Sequence, residues 1–158
     1  SSAASDVYKR QAVTAEKVSE DLYRIDRLYE EDYKVVMSKS HPLSEQDAIS
    51  LAALAKTDML DRLNCEMRDA LHGTCADYGH ELYAAYRSNR VDWLVELARQ
   101  GSGALILPAT AIPLDMGLVS KPIEGLQLSR TVLALRYRHQ TTRPETNDLI
   151  REIMRTPM

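Results

Sequence analysis

Short β-favouring runs alternate with amphipathic helical stretches along this chain, and this alternation constrains the fold more than any other feature. Strand-like runs are expected at 12–15, 22–29, 33–37, 57–61, 82–87, 104–107, 118–120 and 131–137. Helices are expected between them at about 50–55, 64–78, 89–100 and 144–155. This order predicts an α/β domain with a largely parallel sheet.

Capping residues and apolar stripes place the helices more closely. Ser50 is expected to cap the first helix, Asn64 the second, and Ser88 or Asn89 the third. The second helix has Glu66 in its first turn, where a negative charge suits the helix dipole. The expected buried faces are Met67, Leu71 and Cys75 in the second helix, Val91, Leu94, Val95 and Ala98 in the third, and Leu149, Ile153 and Met154 in the last.

Composition excludes several classes of protein. The formal net charge of -3 over 158 residues argues against a nucleic-acid-binding surface that covers the whole chain. No window approaches the roughly 18 apolar residues that a membrane span needs. Two cysteines, Cys65 and Cys75, are too few for a disulfide framework, so a reducing cytoplasm is the expected compartment.

Residues 1–11 carry no periodic pattern. They resemble translated adapter sequence, in which case they are not native and the chain is truncated at this point. The alternative is a flexible terminus.

The motifs of common enzymes are missing from the sequence. The glycines at 101 and 103 follow a helix, whereas a phosphate-cradling loop lies between a strand and the helix it feeds. The sequence has no histidine or cysteine pair at metal-ligand spacing and no nucleophile-elbow motif. We therefore expect neither catalysis nor a cofactor or metal.

Two junctions between a strand and the helix after it are candidates for ligand binding, 62–66 and 87–90. Each combines small polar residues with nearby arginines, and ligands collect at the carboxyl ends of strands in open α/β sheets. This pattern suits a small polar or anionic ligand. The alternative is that Asn64 and Ser88 are only helix caps and that the arginines are solvated.

Several segments resemble the effector domain of LysR-type transcriptional regulators. The stretch 28–33 leads into 35–37 and a His41-Pro42-Leu43 turn, as in that family. The stretch 61–68 resembles a helix start that contains Cys-Glu, and 130–135 resembles the return strand. The most specific likeness is 86–93 followed by the glycine-rich turn and apolar strand at 101–108. The resemblance covers about 12–156.

The resemblance implies a two-lobed fold like that of type 2 periplasmic binding proteins, with one lobe incomplete and a small effector in the cleft. Residues 12–30 would be a remnant of lobe one and a crossover strand, 31–116 lobe two, and 117–158 the return crossover and the end of lobe one. The DNA-binding domain would precede this sequence, so DNA would be contacted only through that part. The intact regulator would be a cytoplasmic homodimer or homotetramer.

The resemblance also implies ligand contacts and structural positions. The implied effector-binding residues are Thr14, Ser38, Asn64, Cys65, Ser88 and Asn89. Four further positions are interpreted as structural: His41 and Pro42 in the turn, Trp93 in packing and Gly103 in helix termination.

Two alternatives stay open. A thiol-based peroxide sensor would use Cys65 and Cys75, but these lie ten positions apart, one more than in the peroxide-responsive relatives, and Glu66 opposes thiolate formation at Cys65. A periplasmic solute-binding protein shares the fold.

Overall fold

The computed structural model describes residues 11–15, 18, 20–114, 117–139 and 143–155. The arm expected at 1–11 lies outside these residues except for Gln11, which begins the first strand. The strands are β1 Gln11–Thr14, β2 Tyr23–Ser38, β3 Met59–Arg62, β4 Ala84–Ser88, β5 Leu105–Pro108, β6 Leu118–Lys121 and β7 Ser129–Tyr137. The helices are α1 Leu51–Leu54, α2 Arg68–Asp77, α3 Val91–Arg99 and α4 Pro144–Arg155, with a 3-10 turn at Ala109–Ala111.

The described residues divide into two compact units. The first takes the residues up to Glu31 and those from Arg130 onward, and the second is Asp32–Ser129. The second unit thus includes β6 and the segment after it, which the sequence analysis grouped with the return crossover. The assignment of these units to lobes one and two stays a prediction.

In the first unit, β1 pairs antiparallel with β7, which lies beside β2 in the strand order. Ile150 of α4 packs against Leu28, Val132 and Ala134 of these strands, with Ile153 at the margin. The predicted packing face of α4 was wrong at two positions, because Leu149 and Met154 are exposed. Ile150 takes the buried position that was expected for Leu149, whereas Ile153 packs as predicted.

The centre of the second unit is the end of β2. Val35 and Val36 pair with both β5 and β6, so these two antiparallel neighbours must lie on opposite edges of β2. β3 pairs in parallel with β4 and bridges in parallel to Ala104 just before β5. The sheet is mixed, and the prediction of a largely parallel sheet was wrong.

Burial explains that error. Val35, Val36 and Met37 are all fully buried, so both faces of this strand are covered, a pattern typical of parallel strands. One core cluster contains Val35 and Met37 with residues of α1 and α2, and the other contains Val36 with residues of α3. Helices therefore cover both faces of the sheet, and the predicted apolar faces of α2 and α3 are the buried ones.

Two glycines after α3 have different tasks. Gly101 has a φ of 81°, and the next amide, of Ser102, donates to the Leu97 carbonyl at 3.0 Å, so Gly101 terminates the helix. Gly103 has a φ of 148°, and a Cβ built on it would lie 2.2 Å from the Asp58 carbonyl oxygen. The interpretation of Gly103 as the helix terminator was wrong, because its role is the close approach of two backbones.

We predict that Gly103→Ala destabilises the fold by roughly 3 kcal/mol or more, from backbone strain and steric overlap together. Gly101→Ala is the matched control, since its Cβ meets no atom within 4 Å, and it should cost only about 1–2 kcal/mol for its positive φ. Urea unfolding of both variants measures the difference. Equal losses would contradict the steric role of Gly103.

Candidate functional site

The carboxyl ends of β3 and β4 lie side by side. In this parallel pair Arg62 is in register with Ser88, and the Leu63 amide extends the ladder by donating to the Ser88 carbonyl at 3.1 Å. Two loops therefore leave the sheet at the same edge, the one formed by the carboxyl ends of these strands. One loop contains Asn64 and Cys65, and the other contains Asn89. The sequence analysis placed both strand–helix junctions at the carboxyl ends of strands, and the structure has them there.

Neither helix begins where its capping residue suggested. Asn64 is exposed in a turn, and α2 begins only at Arg68, with Met67 at the N-cap position. Leu63 and Asn64 form a turn after β3, and the Leu63 amide donates to the Ser88 carbonyl of β4. α3 begins at Val91 with Arg90 as its N-cap residue, whereas Ser88 is still in β4 and its Oγ accepts from the Arg90 amide at 2.9 Å.

The predictions of Asn64 and of Ser88 or Asn89 as N-caps were thus wrong by one to three residues. By contrast, Ser50 caps α1 as predicted, with its Oγ accepting from the Ala53 amide at 3.2 Å. In neither α2 nor α3 does the side chain of the N-cap residue accept a hydrogen bond from a backbone amide of the first turn.

The other two predicted site residues lie elsewhere. Ser38 ends β2, which runs antiparallel to β5, while β3 lies parallel to the start of β5. The end of β2 is therefore at the opposite edge of the sheet from the ends of β3 and β4. Ser38 is buried there, with its Oγ 2.9 Å from that of Ser40. Thr14 ends β1, in the first unit.

Asp61 is the electrostatic centre of this edge, and the sequence analysis did not single it out. Its carboxylate accepts three bonds of 2.8–3.0 Å from the Arg68 guanidinium, and its Oδ2 lies 3.6 Å from Nε of Arg87, its cross-strand neighbour. The hydrogen bonds to Asp61, and then its negative charge, raise the pKa of Arg68. The end of β3 is thereby tied to the first residue of α2. An acidic residue at a strand end and an arginine seven positions on were the available sequence pattern.

Cys65 lies in the loop between β3 and α2, three residues before the helix. It is half-buried and lines a small pocket of about 40 Å³ beneath α2. Cys75 is fully buried on α2, and burial raises the pKa of its thiol. Both are free thiols.

Trp93 was expected to have a packing role, but 61% of it is exposed on the first turn of α3. The Arg90 guanidinium lies over its ring at 5.1 Å and also bonds the Asp92 carboxylate at 2.6 Å. This bond raises the pKa of Arg90 and lowers that of Asp92. The prediction of a packing role was wrong, because the buried face of α3 is formed by Leu94, Val95 and Ala98.

Within the described ranges, no group of three acidic, histidine or cysteine side chains could hold a metal ion. Among the helices of the same residues, none is both long and apolar enough to cross a membrane.

We predict that Asp61→Asn lowers the free energy of unfolding by about 1–3 kcal/mol, because it removes a largely buried charge from between two arginines. Asp69→Asn is the control, since that carboxylate is 99% exposed and 3.7 Å from Arg68, and it should change stability by less than about 0.5 kcal/mol. Chemical unfolding of the two variants measures the difference. Equal losses of stability would contradict a stabilising role for the Asp61–Arg68 ion pair.

Comparison with known proteins identifies one family for this chain, and the solved structures that share its fold are consistent with that family. The model of the LysR substrate binding domain matches residues 11–156. The "Hydrogen peroxide-inducible genes activator" of Pectobacterium carotovorum is 28% identical over 116 residues, 70% of this chain and 38% of that protein. The chain thus spans little more than a third of this relative.

Two solved structures share the fold. HinK, a LysR family transcriptional regulator from Pseudomonas aeruginosa, superposes with a TM-score of 0.81 at 13% identity, covering 95% of this chain and 53% of that chain. The CcmR regulatory domain of Synechocystis PCC6803 in complex with 2-PG gives a TM-score of 0.77 at 13% identity, over 95% of this chain and 74% of that chain.

Proposed function

This chain belongs to the LysR substrate-binding domain family, and we propose that it is the effector-sensing part of a bacterial transcriptional regulator. The observation that carries the proposal is the shared edge of β3 and β4, where two loops with amide and hydroxyl side chains precede two helix N-termini. Backbone N–H groups at helix N-termini favour ligands with negative charge. The 2-PG complex of a protein with this fold supports a small-molecule role.

The ligand-binding residues that we propose at this edge are Asn64, Ser88 and Asn89. Asn64 and Asn89 are exposed and offer amide groups, and Ser88 is half-buried where the ladder ends. Arg87 lies beside them with its side chain 59% exposed, so it adds a positive charge that remains accessible to solvent. Together these groups suit a small anionic or polar effector. Thr14, Ser38 and Cys65 remain further candidates.

Within the intact regulator, effector binding would shift the population of conformations that the DNA-binding part reads. We propose that this regulator is cytoplasmic, that it forms homodimers or homotetramers, and that it has no catalytic activity. The matched family is a family of regulators, so the solute-binding alternative has no support of its own.

The experiment uses two anions as probes, 2-PG and inorganic phosphate, in calorimetric titration of the whole chain. We expect the Asn64→Ala/Ser88→Ala double variant to bind at least about tenfold more weakly than the parent, since each substitution removes a hydrogen bond to the ligand. Ser102→Ala is the control, because Ser102 precedes β5 at the opposite edge of the sheet.

Equal affinity of the double variant and the parent would place the ligand elsewhere. No binding of either probe to the parent up to about 10 mM would contradict an effector site that prefers anions.

Peroxide sensing is the second candidate function. It is favoured by the relative described as a hydrogen peroxide-inducible activator and by the half-buried position of Cys65. The position of Cys75 opposes it, since this thiol is fully buried on α2 and its pKa is raised. A disulfide between the two residues would require the fully buried Cys75 thiol to become accessible to an oxidant.

We predict that iodoacetamide modifies Cys65 at least about tenfold faster than Cys75, because only the thiolate reacts and Cys75 is both buried and held protonated. Peptide mass spectrometry over time measures both rates. A peptide linking Cys65 to Cys75 after treatment of the folded chain with hydrogen peroxide would favour the sensor. If peroxide leaves both thiols free, the effector-binding function stands alone.

A further inference from the structure

The turn that follows β2 is held by a compact set of hydrogen bonds, and His41 takes part in three of them. Its amide donates to the Ser38 carbonyl at 3.0 Å, and its carbonyl accepts from the Ser44 amide at 2.9 Å. Its ring Nδ1 accepts from the Leu43 amide at 3.2 Å. The turn therefore depends on the ring of this histidine as well as on its backbone.

The bond to the ring depends on the protonation state of His41. A neutral imidazole accepts through its unprotonated nitrogen, whereas an imidazolium has no acceptor at all. Because Nδ1 accepts from the Leu43 amide, the single proton of the neutral ring must be on Nε2. A second proton would bind Nδ1 and place an N–H directly opposite the N–H of Leu43. Protonation therefore removes the acceptor of this amide.

The surroundings of the ring also favour its neutral form. His41 is half-buried and lines the groove between the turn, α1 and the start of β4. The titratable side chains of the groove and the turn are all exposed: Lys56, Asp58, Tyr83 and Tyr86 in the groove, and Lys39 and Glu45 on the turn. Burial of the ring, rather than one of these charges, lowers the pKa of His41. Burial and the bond from Leu43 thus act in the same direction.

The turn continues directly from the pairing of β2 with β6. Ser38 is in register with Leu118, and the Lys39 amide extends the ladder by donating to the Gly117 carbonyl at 3.0 Å. The Ser44 hydroxyl donates to the carbonyl of the same Lys39 at 2.8 Å. A turn that loosens around Leu43 therefore affects the end of the β2–β6 pair.

We propose that His41 is an acid-sensitive switch in the second unit. With the ring neutral, Nδ1 holds the Leu43 amide and the turn closes beside the end of β6. With the ring protonated, the amide loses its acceptor and the turn opens. This switch goes beyond the proposed effector site, because it lies at the opposite edge of the sheet from the ends of β3 and β4.

The direction of the pH effect follows from proton linkage. The folded unit holds the ring neutral, so the unfolded chain takes up the proton more readily than the folded one. The contribution of His41 to stability is therefore complete above the ordinary histidine pKa of 6.5. It decreases as the pH falls below that value, and the decrease ends at the lowered pKa of the folded state.

The experiment compares the whole chain with His41→Asn by urea unfolding at a series of pH values. The Asn side-chain oxygen can accept from the amide two residues on at any pH, so this variant keeps the turn and loses the titration. From about pH 7.5 to about pH 5.5, the folding equilibrium constant of the parent should fall at least about threefold relative to that of His41→Asn. His139→Asn is the matched control, since that ring is exposed, and its ratio to the parent should stay constant.

The parent alone gives an independent test even if His41→Asn does not fold. NMR of the ring nitrogens of His41 should show the proton on Nε2 and none on Nδ1 at about pH 7.5. A proton on Nδ1 at that pH would overturn the proposal, because the Leu43 amide would then have no acceptor to lose. An identical pH dependence of stability in the parent and in His41→Asn would overturn it as well.

Discussion

The backbone of β2 is the constraint on which the second unit depends. A strand whose side chains are buried on both faces has no water to satisfy its N–H and C=O groups, so both edges must be paired. β5 and β6 meet that requirement from opposite sides, and helices cover the two faces. The Ala104 segment before β5 then positions β3, and β3 positions β4. The shared edge that carries the candidate site is the end of this series of pairings.

Local patterns in the sequence predicted the elements well because they depend on local physics. The apolar face of α3 follows from a period of 3.6 residues, and α4 begins at Pro144 as a proline in the first turn predicts. The starts of α2 and α3 could not be predicted in the same way. The start of a helix depends on the path of the chain: a turn at Leu63 and Asn64 precedes α2, and β4 continues through Ser88, so both helices begin after the expected caps.

In the candidate site too, local sequence predicted some features, whereas tertiary pairing determined others. Asn64 and Ser88 were predicted to lie together because both follow strands, and the parallel pair does bring their loops together. Ser38 also ends a strand, but the direction of β2 is set by tertiary pairing and places it at the other edge. Asp61 was missed because its importance comes from two arginines, of which Arg87 approaches only through the β3–β4 register.

Trp93 has a practical consequence for the study of this domain. It is the only tryptophan in the chain, and it lies exposed on the first turn of α3, four residues after Asn89. The indole is thus a natural fluorophore beside the proposed effector loop, and the Arg90 cation above its ring makes its emission sensitive to any change in that loop. The chain carries its own optical reporter, and events at this edge can be followed without a label.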